Sequence, residues 1–307
     1  MHSTLEKYFK EVECPVIIEG ATDWNEGLYE SCERGNIELV NLMIEEGAND
    51  WNWGLYKACS GGKSIEIVNI MIEKGADDLN GGLLRACRMG YIEIVNLLIE
   101  KGANNWNDGL RNSCEGGHIE IVNIMIKKGA NDWYYGLWGA CYGGHIEIVN
   151  LMIDKGADDL NNGLLGACKG GHIEIVNLMI EKGADNWNNG LLSACNSGYI
   201  EIVNLMIDKG AYNLNDGLIS ACYGGRIEMI NLMIEKGANN YIQLRNIYNL
   251  MLYKLYLFHY PDNLNKEKYK KLVIRECPIY FIIINRGCNK LLNKLPIDLW
   301  RYTKKFI

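Results

Sequence analysis

From residue 20 to residue 236 apolar and polar positions fall in one order, and that order is repeated eight times. The longer apolar stretch of each copy is typified by Ile173 to Ile180, IEIVNLMI. In the first copy its polar positions are Glu38, Asn41 and Glu45, spaced i, i+3, i+7, which puts them on one stripe of a helix. Ile37, Leu39, Val40, Met43 and Ile44 cover most of the remaining circumference, as expected of a helix sandwiched between neighbours. We refer to it as the second helix. A shorter stretch, typified by Gly190 to Asn196, predicts a first helix that buries Leu191, Ala194 and Cys195.

The punctuation between helices is just as regular. The last turn of the second helix usually carries a lysine (Lys74, Lys101, Lys128), which suits the negative end of the helix dipole. A Gly-Ala pair follows, and its glycine supplies the left-handed residue that stops the helix. These pairs recur every 27 residues from Gly20 to Gly237, with one step of 28 between Gly47 and Gly75. The added residue lies in CSGGKSIEIV, in the turn between the helices, where an insertion is cheapest. After Gly-Ala come two Asn/Asp-type residues and a bulky anchor: Trp24, Trp51, Leu79, Trp106, Trp133, Leu160, Trp187 or Leu214. The anchors read as a ladder under the loops, and the asparagine after them (Asn80, Asn107, Asn161, Asn188) reads as the N-cap of the first helix.

A fixed period of this length predicts an all-α solenoid, in which no unit is large enough to bury a core alone. The chain divides accordingly into an N-terminal capping partial repeat (1–19), eight repeats (20–236), and a degenerate repeat with a C-terminal helical cap (237–307).

Charge adds a division. The net charge is −7, yet residues 241–307 hold thirteen Lys/Arg against four Asp/Glu, so the acid excess lies in the repeats. An acidic array does not suggest nucleic-acid binding. The most apolar run, Pro278 to Ile284, is far short of the roughly 20 residues that span a bilayer, and MHSTLEKYFKEVE lacks the apolar segment of a signal peptide. A cytosol-like compartment and no membrane partner are expected. Of eleven cysteines, eight (Cys32, Cys59, Cys87, Cys114, Cys141, Cys168, Cys195, Cys222) hold one repeat position. Stacked helices lie about 8–10 Å apart, beyond the roughly 7 Å Cα limit of a disulfide, so these read as small reduced hydrophobes.

The unit G-L-x-x-A-C-x-x-G-H-I-E-I-V-N-L-M-I-E-K-G-A-D resembles the ankyrin repeat over both helices, across residues 20–240. Two departures stand out. Asn-x-Gly replaces the family's Thr-Pro, and the link is about six residues shorter, which implies a tight loop in place of the projecting hairpin. Near-identical short repeats rich in Asn, Ile, Lys and Tyr look most like the ankyrin-type proteins of giant DNA viruses, mimivirus-like, whose working place is the host cytoplasm. The resemblance also places His118, His145 and His172 in the turn between helices, where a ring nitrogen bonds to the backbone.

No motif for catalysis emerges. SGGKS (Ser60 to Ser64) lacks the first glycine of a phosphate-binding loop, since Lys57 stands there. No HExxH, GxGxxG or GxSxG occurs, so no enzyme, metal or cofactor is expected. Glu38 and its equivalents form an acidic row that reads as a solvated face.

Variation between the repeats is more informative. Three first-helix positions change from unit to unit while the second helix stays nearly constant. Read as exposed, they give a candidate partner surface of Tyr29, Glu30, Glu33, Tyr56, Lys57, Arg85, Arg88, Arg111, Asn112, Trp138, Tyr142 and Tyr223. In the ankyrin family such positions line the surface that holds protein partners. Aromatic and Arg side chains are the usual anchors of interfaces, so Arg85, Arg88 and Arg111 beside Trp138 and Tyr142 form the best patch.

The expected function is therefore non-enzymatic binding of a protein partner by a monomeric chain. Two alternatives remain open. Leu295 to Trp300 is similar to the opening of F-box-like motifs, which would make the chain a ubiquitin-ligase substrate receptor with a ligase adaptor as partner. Near-identity of the second helices would suit a structural assembly protein.

Overall fold

The computed structural model describes residues 24–239, which contain sixteen α-helices and no strand. The capping segments expected at 1–19 and 237–307, and the F-box-like Leu295–Trp300, lie outside the described residues, except Gly237 to Asn239. The odd-numbered helices are the first helices of successive repeats. They are α1 (Trp24–Arg34), α3 (Trp51–Gly61), α5 (Leu79–Met89), α7 (Trp106–Gly116), α9 (Trp133–Gly143), α11 (Leu160–Gly170), α13 (Trp187–Ser197) and α15 (Leu214–Tyr223). The even-numbered ones are the second helices. They are α2 (Ile37–Glu45), α4 (Ile65–Lys74), α6 (Ile92–Glu100), α8 (Ile119–Lys128), α10 (Ile146–Asp154), α12 (Ile173–Glu181), α14 (Ile200–Asp208) and α16 (Ile227–Glu235).

The chain falls into two compact units, Met1–Ile175 and Val176–Ile307, with the division inside α12. In the first unit α1, α3, α5, α7 and α9 each pack on their own second helix, neighbouring first helices from α1 to α11 pack on one another, and the second helices touch one another only weakly. The second unit shows the same hairpins, α13 with α14 and α15 with α16, and α13 packs on α15.

The core follows from the repeat pattern. Leu137, Ala140 and Cys141 of α9 and Ile148, Val149 and Met152 of α10 are buried, and the equivalent residues recur in the other hairpins. The invariant glycine before each of these leucines makes room for a methionine: a Cβ at Gly136 would stand 2.6 Å from Met152 Sδ. The cysteines expected as reduced hydrophobes are free and buried, and burial pushes the Cys141 thiol up to about 12. Such thiols stay protonated at neutral pH and are poor nucleophiles.

Second helices end as expected. Gly47 adopts φ 109°, and the N–H groups of Gly47 and Ala48 donate to the Ile44 and Met43 carbonyls, closing a Schellman turn. The added residue of the long repeat is Lys63, between the left-handed Gly62 and the N-cap Ser64.

The starts of the first helices differ from expectation. Their N-cap is the residue before the anchor, not the asparagine after it. Asp50, Asp78, Asp132, Asp159 and Asn186 each accept from the backbone N–H three positions on. An acceptor there reaches the third N–H of the helix, so the anchor becomes the first helical residue, half-buried, and the helix begins three residues earlier than expected.

The displaced asparagine has another task. Asn25 Oδ1 accepts from the backbone N–H groups of Asn49 and Asp50, one repeat later, at 2.9 and 3.0 Å. Asn52, Asn80 and Asn107 do the same for the next three links. In the second unit Asn188 holds Tyr212 and Asn213, and Asn215 holds Asn239. These links thus have their backbone donors satisfied by the preceding repeat. Tyr134 interrupts this ladder, because a phenol has no amide oxygen to offer. Beside it lies a recess of about 370 Å³ lined by Asn107, Trp133, Tyr134 and the link Gly156–Asp158.

Candidate partner-binding surface

First helices in the first unit approach closely enough for glycine to matter. A Cβ at Gly143 would overlap the Glu115 carbonyl, and one at Gly139 would stand 2.7 Å from the Arg111 carbonyl. One of the three variable positions (Glu30, Lys57, Arg85, Asn112, Gly139, Gly166) is therefore not a freely exposed row. At Gly139 and Gly166 it is buried, because the backbone of the preceding helix occupies the space. Glycine draws α7, α9 and α11 together and brings the side chains on either side of the seam into contact.

The turn between helices forms a second tie. His118, His145 and His172 donate Nε2–H to the carbonyls of Arg88, Glu115 and Tyr142, at 3.1, 3.2 and 3.0 Å. Each ring lies over a glycine of the preceding repeat: His145, for instance, is against Gly117. Where Asn36 or Ser64 takes this place, the side chain instead caps its own helix. The position serves either as a cap or as a clamp between repeats. Burial holds the His145 pKa below its ordinary value, opposed by the bond to the Glu115 carbonyl.

On this scaffold the predicted residues form two groups in the first unit. In the first, Tyr29 donates its hydroxyl to Asp50 Oδ2 at 2.6 Å and meets Trp53 edge-on. Trp53 stacks on Tyr56 at 4.8 Å, and the Arg85 guanidinium lies over Tyr56 while bonding Ser60 Oγ. Lys57 pairs with Glu33 at 2.8 Å. The hydrogen bond from Lys57 holds the Glu33 carboxyl below its usual range, against the opposing effect of desolvation.

In the second group Trp138 and Tyr142 stack at 5.1 Å with their planes 7° apart. The Arg111 guanidinium lies 5.9 Å from the Trp138 centroid, and the Lys169 ammonium lies 5.7 Å from both rings. Cations over ring faces are held by the ring quadrupole, worth about 0.5–1 kcal/mol at an exposed site.

The remaining predicted residues do other things. Arg88 is committed to Glu115 at 2.7 Å, and the Glu115 side chain is only 8% exposed. Glu30 pairs with Arg34 along α1, and Asn112 bonds the Asp108 carbonyl within α7. Tyr223, 61% exposed, lies in the second unit. Of the patch read from sequence, Arg111, Trp138 and Tyr142 meet; Arg85 belongs with Tyr56.

Two residues of these groups were missed. Trp53, 47% exposed, stands in the middle of Asn-x-Gly, a position assigned to the link. Its signal was its spacing: three residues before Tyr56, it shares that residue's helix face. Lys169 follows Cys168 as Tyr142 follows Cys141, so the repeat register alone pointed to it.

Among the described residues no group of three or more His, Cys, Asp or Glu is arranged to hold a metal, and no helix is long and apolar enough to cross a membrane. A family model described as ankyrin repeats matches residues 28–109, 83–162, 110–189 and 164–243. A search of curated proteins gave no match.

Proposed function

Given that the chain belongs to the ankyrin-repeat family, whose members are generally non-enzymatic protein–protein interaction modules, we propose that it binds its partner through the first-helix face of α3 to α11. The observation that carries this reading is the stacked Trp138–Tyr142 pair with Arg111 and Lys169 over its faces. These are the side-chain types that dominate binding energy at interfaces, gathered where the repeats differ. The second helices have no such aromatic and cationic group; their outward residues are a repeated Glu and Asn, with single isoleucines such as Ile65 and Ile146 exposed at the helix starts.

Site-specific cross-linking tests the reading. A photoreactive residue at position 142 should capture a protein partner from cells, and one at Glu147 on α10 should not. Capture from position 147 alone would move the interface to the second helices, which is what the assembly reading requires.

Work in a cytosol-like compartment fits the eight buried free thiols. A viral source is supported only by the Asn-, Ile-, Lys- and Tyr-rich composition. A role as ubiquitin-ligase receptor rests on the Leu295–Trp300 motif, and loss of ligase subunits from the captured proteins when the chain is ended at Lys290 is its test.

A further inference from the structure

The first helices around Trp138 carry a charge that the second helices beside them do not share. The first helices α3 to α11 carry Lys57, Arg85, Arg88, Arg111 and Lys169 against Asp108 and Glu115. The second helices α4 to α10 carry three lysines against seven carboxylates. Within α3 to α11 the helix bodies are therefore net positive where the second helices are net negative, while the carboxylates at the helix starts, Asp50, Asp78, Asp132 and Asp159, are each bonded to their own helix as N-caps.

The guanidinium beside the aromatic pair is not neutralised. Glu115 is committed to Arg88 and Glu33 to Lys57. α9, which supplies Trp138 and Tyr142, contains no charged residue. Asp108 lies in the first turn of α7, where it accepts from Asn105. Arg111 makes no hydrogen bond or ion pair among the described residues, and its Nε is withdrawn from solvent without an acceptor. Only Nε is withdrawn; the two Nη groups stay accessible and have no protein acceptor, and their planar fork matches a carboxylate.

We infer that this surface takes an acidic peptide segment of the partner, with an Asp or Glu paired to Arg111 beside an apolar or aromatic residue on the Trp138–Tyr142 faces. The inference rests on the reading of the first-helix face as the binding surface and names the chemistry of what is bound there. A phosphate backbone offers the same charge, but a nucleic acid would have to approach a chain whose net charge is −7 and whose second helices repel it. A short acidic segment needs only the cations around α9.

Selection from a library of random 12-residue peptides tests this with the full chain. Wild-type protein should enrich sequences with Asp or Glu next to Trp, Tyr, Phe or Leu. Their binding should weaken about tenfold between low and physiological salt, as exposed charge pairing requires. Arg111→Gln should abolish the acidic enrichment and Lys169→Gln should reduce it. Arg34→Gln, in a pair on α1, should leave it unchanged, with circular dichroism showing each variant folded.

Selected peptides that are neutral or basic yet lost with Trp138→Ala would overturn the acidic assignment and leave the binding face standing. Absence of any peptide that depends on Trp138 would overturn both. A random-sequence single-stranded oligonucleotide that binds in an Arg111-dependent way and displaces the peptides would also overturn it, in favour of nucleic acid.

Discussion

The side-chain oxygen of Asn80 accepts the backbone N–H of Asn105, 3.0 Å away and twenty-five positions later in the chain. The same oxygen accepts from Asn104 at 2.9 Å, so one side chain fixes the link that starts the next repeat. Asn80→Ala removes both bonds and should cost about 1–2 kcal/mol, read as a lower urea midpoint. An unchanged midpoint would mean that water replaces the asparagine without loss.

Tyr134 marks the place where this ladder lacks a rung. Tyr134→Asn gives the Asp158 and Asp159 N–H groups the acceptor that Asn107 gives to Asn131 and Asp132. A stabilisation of about 1 kcal/mol is expected in the same urea titration. Destabilisation would show that the exposed Tyr134–Tyr135 ring pair, at 4.9 Å, contributes more than the missing bonds.

Val149 is fully buried on α10. Val149→Asp places an unpaired charge in the core and should cost roughly 3–5 kcal/mol. Because repeats are held by their neighbours, hydrogen exchange should rise first in α9 and α10 and then in the hairpins beside them. Uniform exchange along the first unit would contradict a core built repeat by repeat.

The His145 clamp gives the array a pH dependence. Burial lowers the His145 pKa from 6.5 in the folded chain, so the unfolded chain takes up a proton first as pH falls. The stability concerned is present above 6.5 and is lost as pH falls from there toward the folded pKa. The thermal midpoint should therefore drop as pH falls below 6.5, and His145→Asn, which installs the residue found at the equivalent position 36, should flatten the drop. Parallel curves for the two proteins would remove His145 as the cause.

Much of this fold was legible because the repeat supplies its own controls. The stripe of Glu38, Asn41 and Glu45, the Gly-Ala stops and the buried cysteines all follow from spacing on one helix. The N-cap was misassigned because Asp78 and Asn80 are both good caps two positions apart; the structure gives the cap to Asp78 and turns Asn80 to a partner in the next repeat. The seam position failed for a related reason. Gly139 and Gly166 vary from Arg85 and Asn112 like surface residues, and only the distance between neighbouring helices shows the backbone packed against them. Pairings within one helix are set by its period, whereas Arg111 over Trp138 depends on how two helices are spaced.

Affinity capture with Trp138→Ala, beside wild type and Glu147→Lys on the second-helix face, tests the binding surface most directly. Trp138 is half-buried on α9, with its ring stacked on Tyr142 between Arg111 and Lys169, so its loss should leave the melting curve close to that of wild type. The account predicts that Trp138→Ala loses the captured partner while Glu147→Lys keeps it. Full capture by Trp138→Ala together with loss by Glu147→Lys would contradict it.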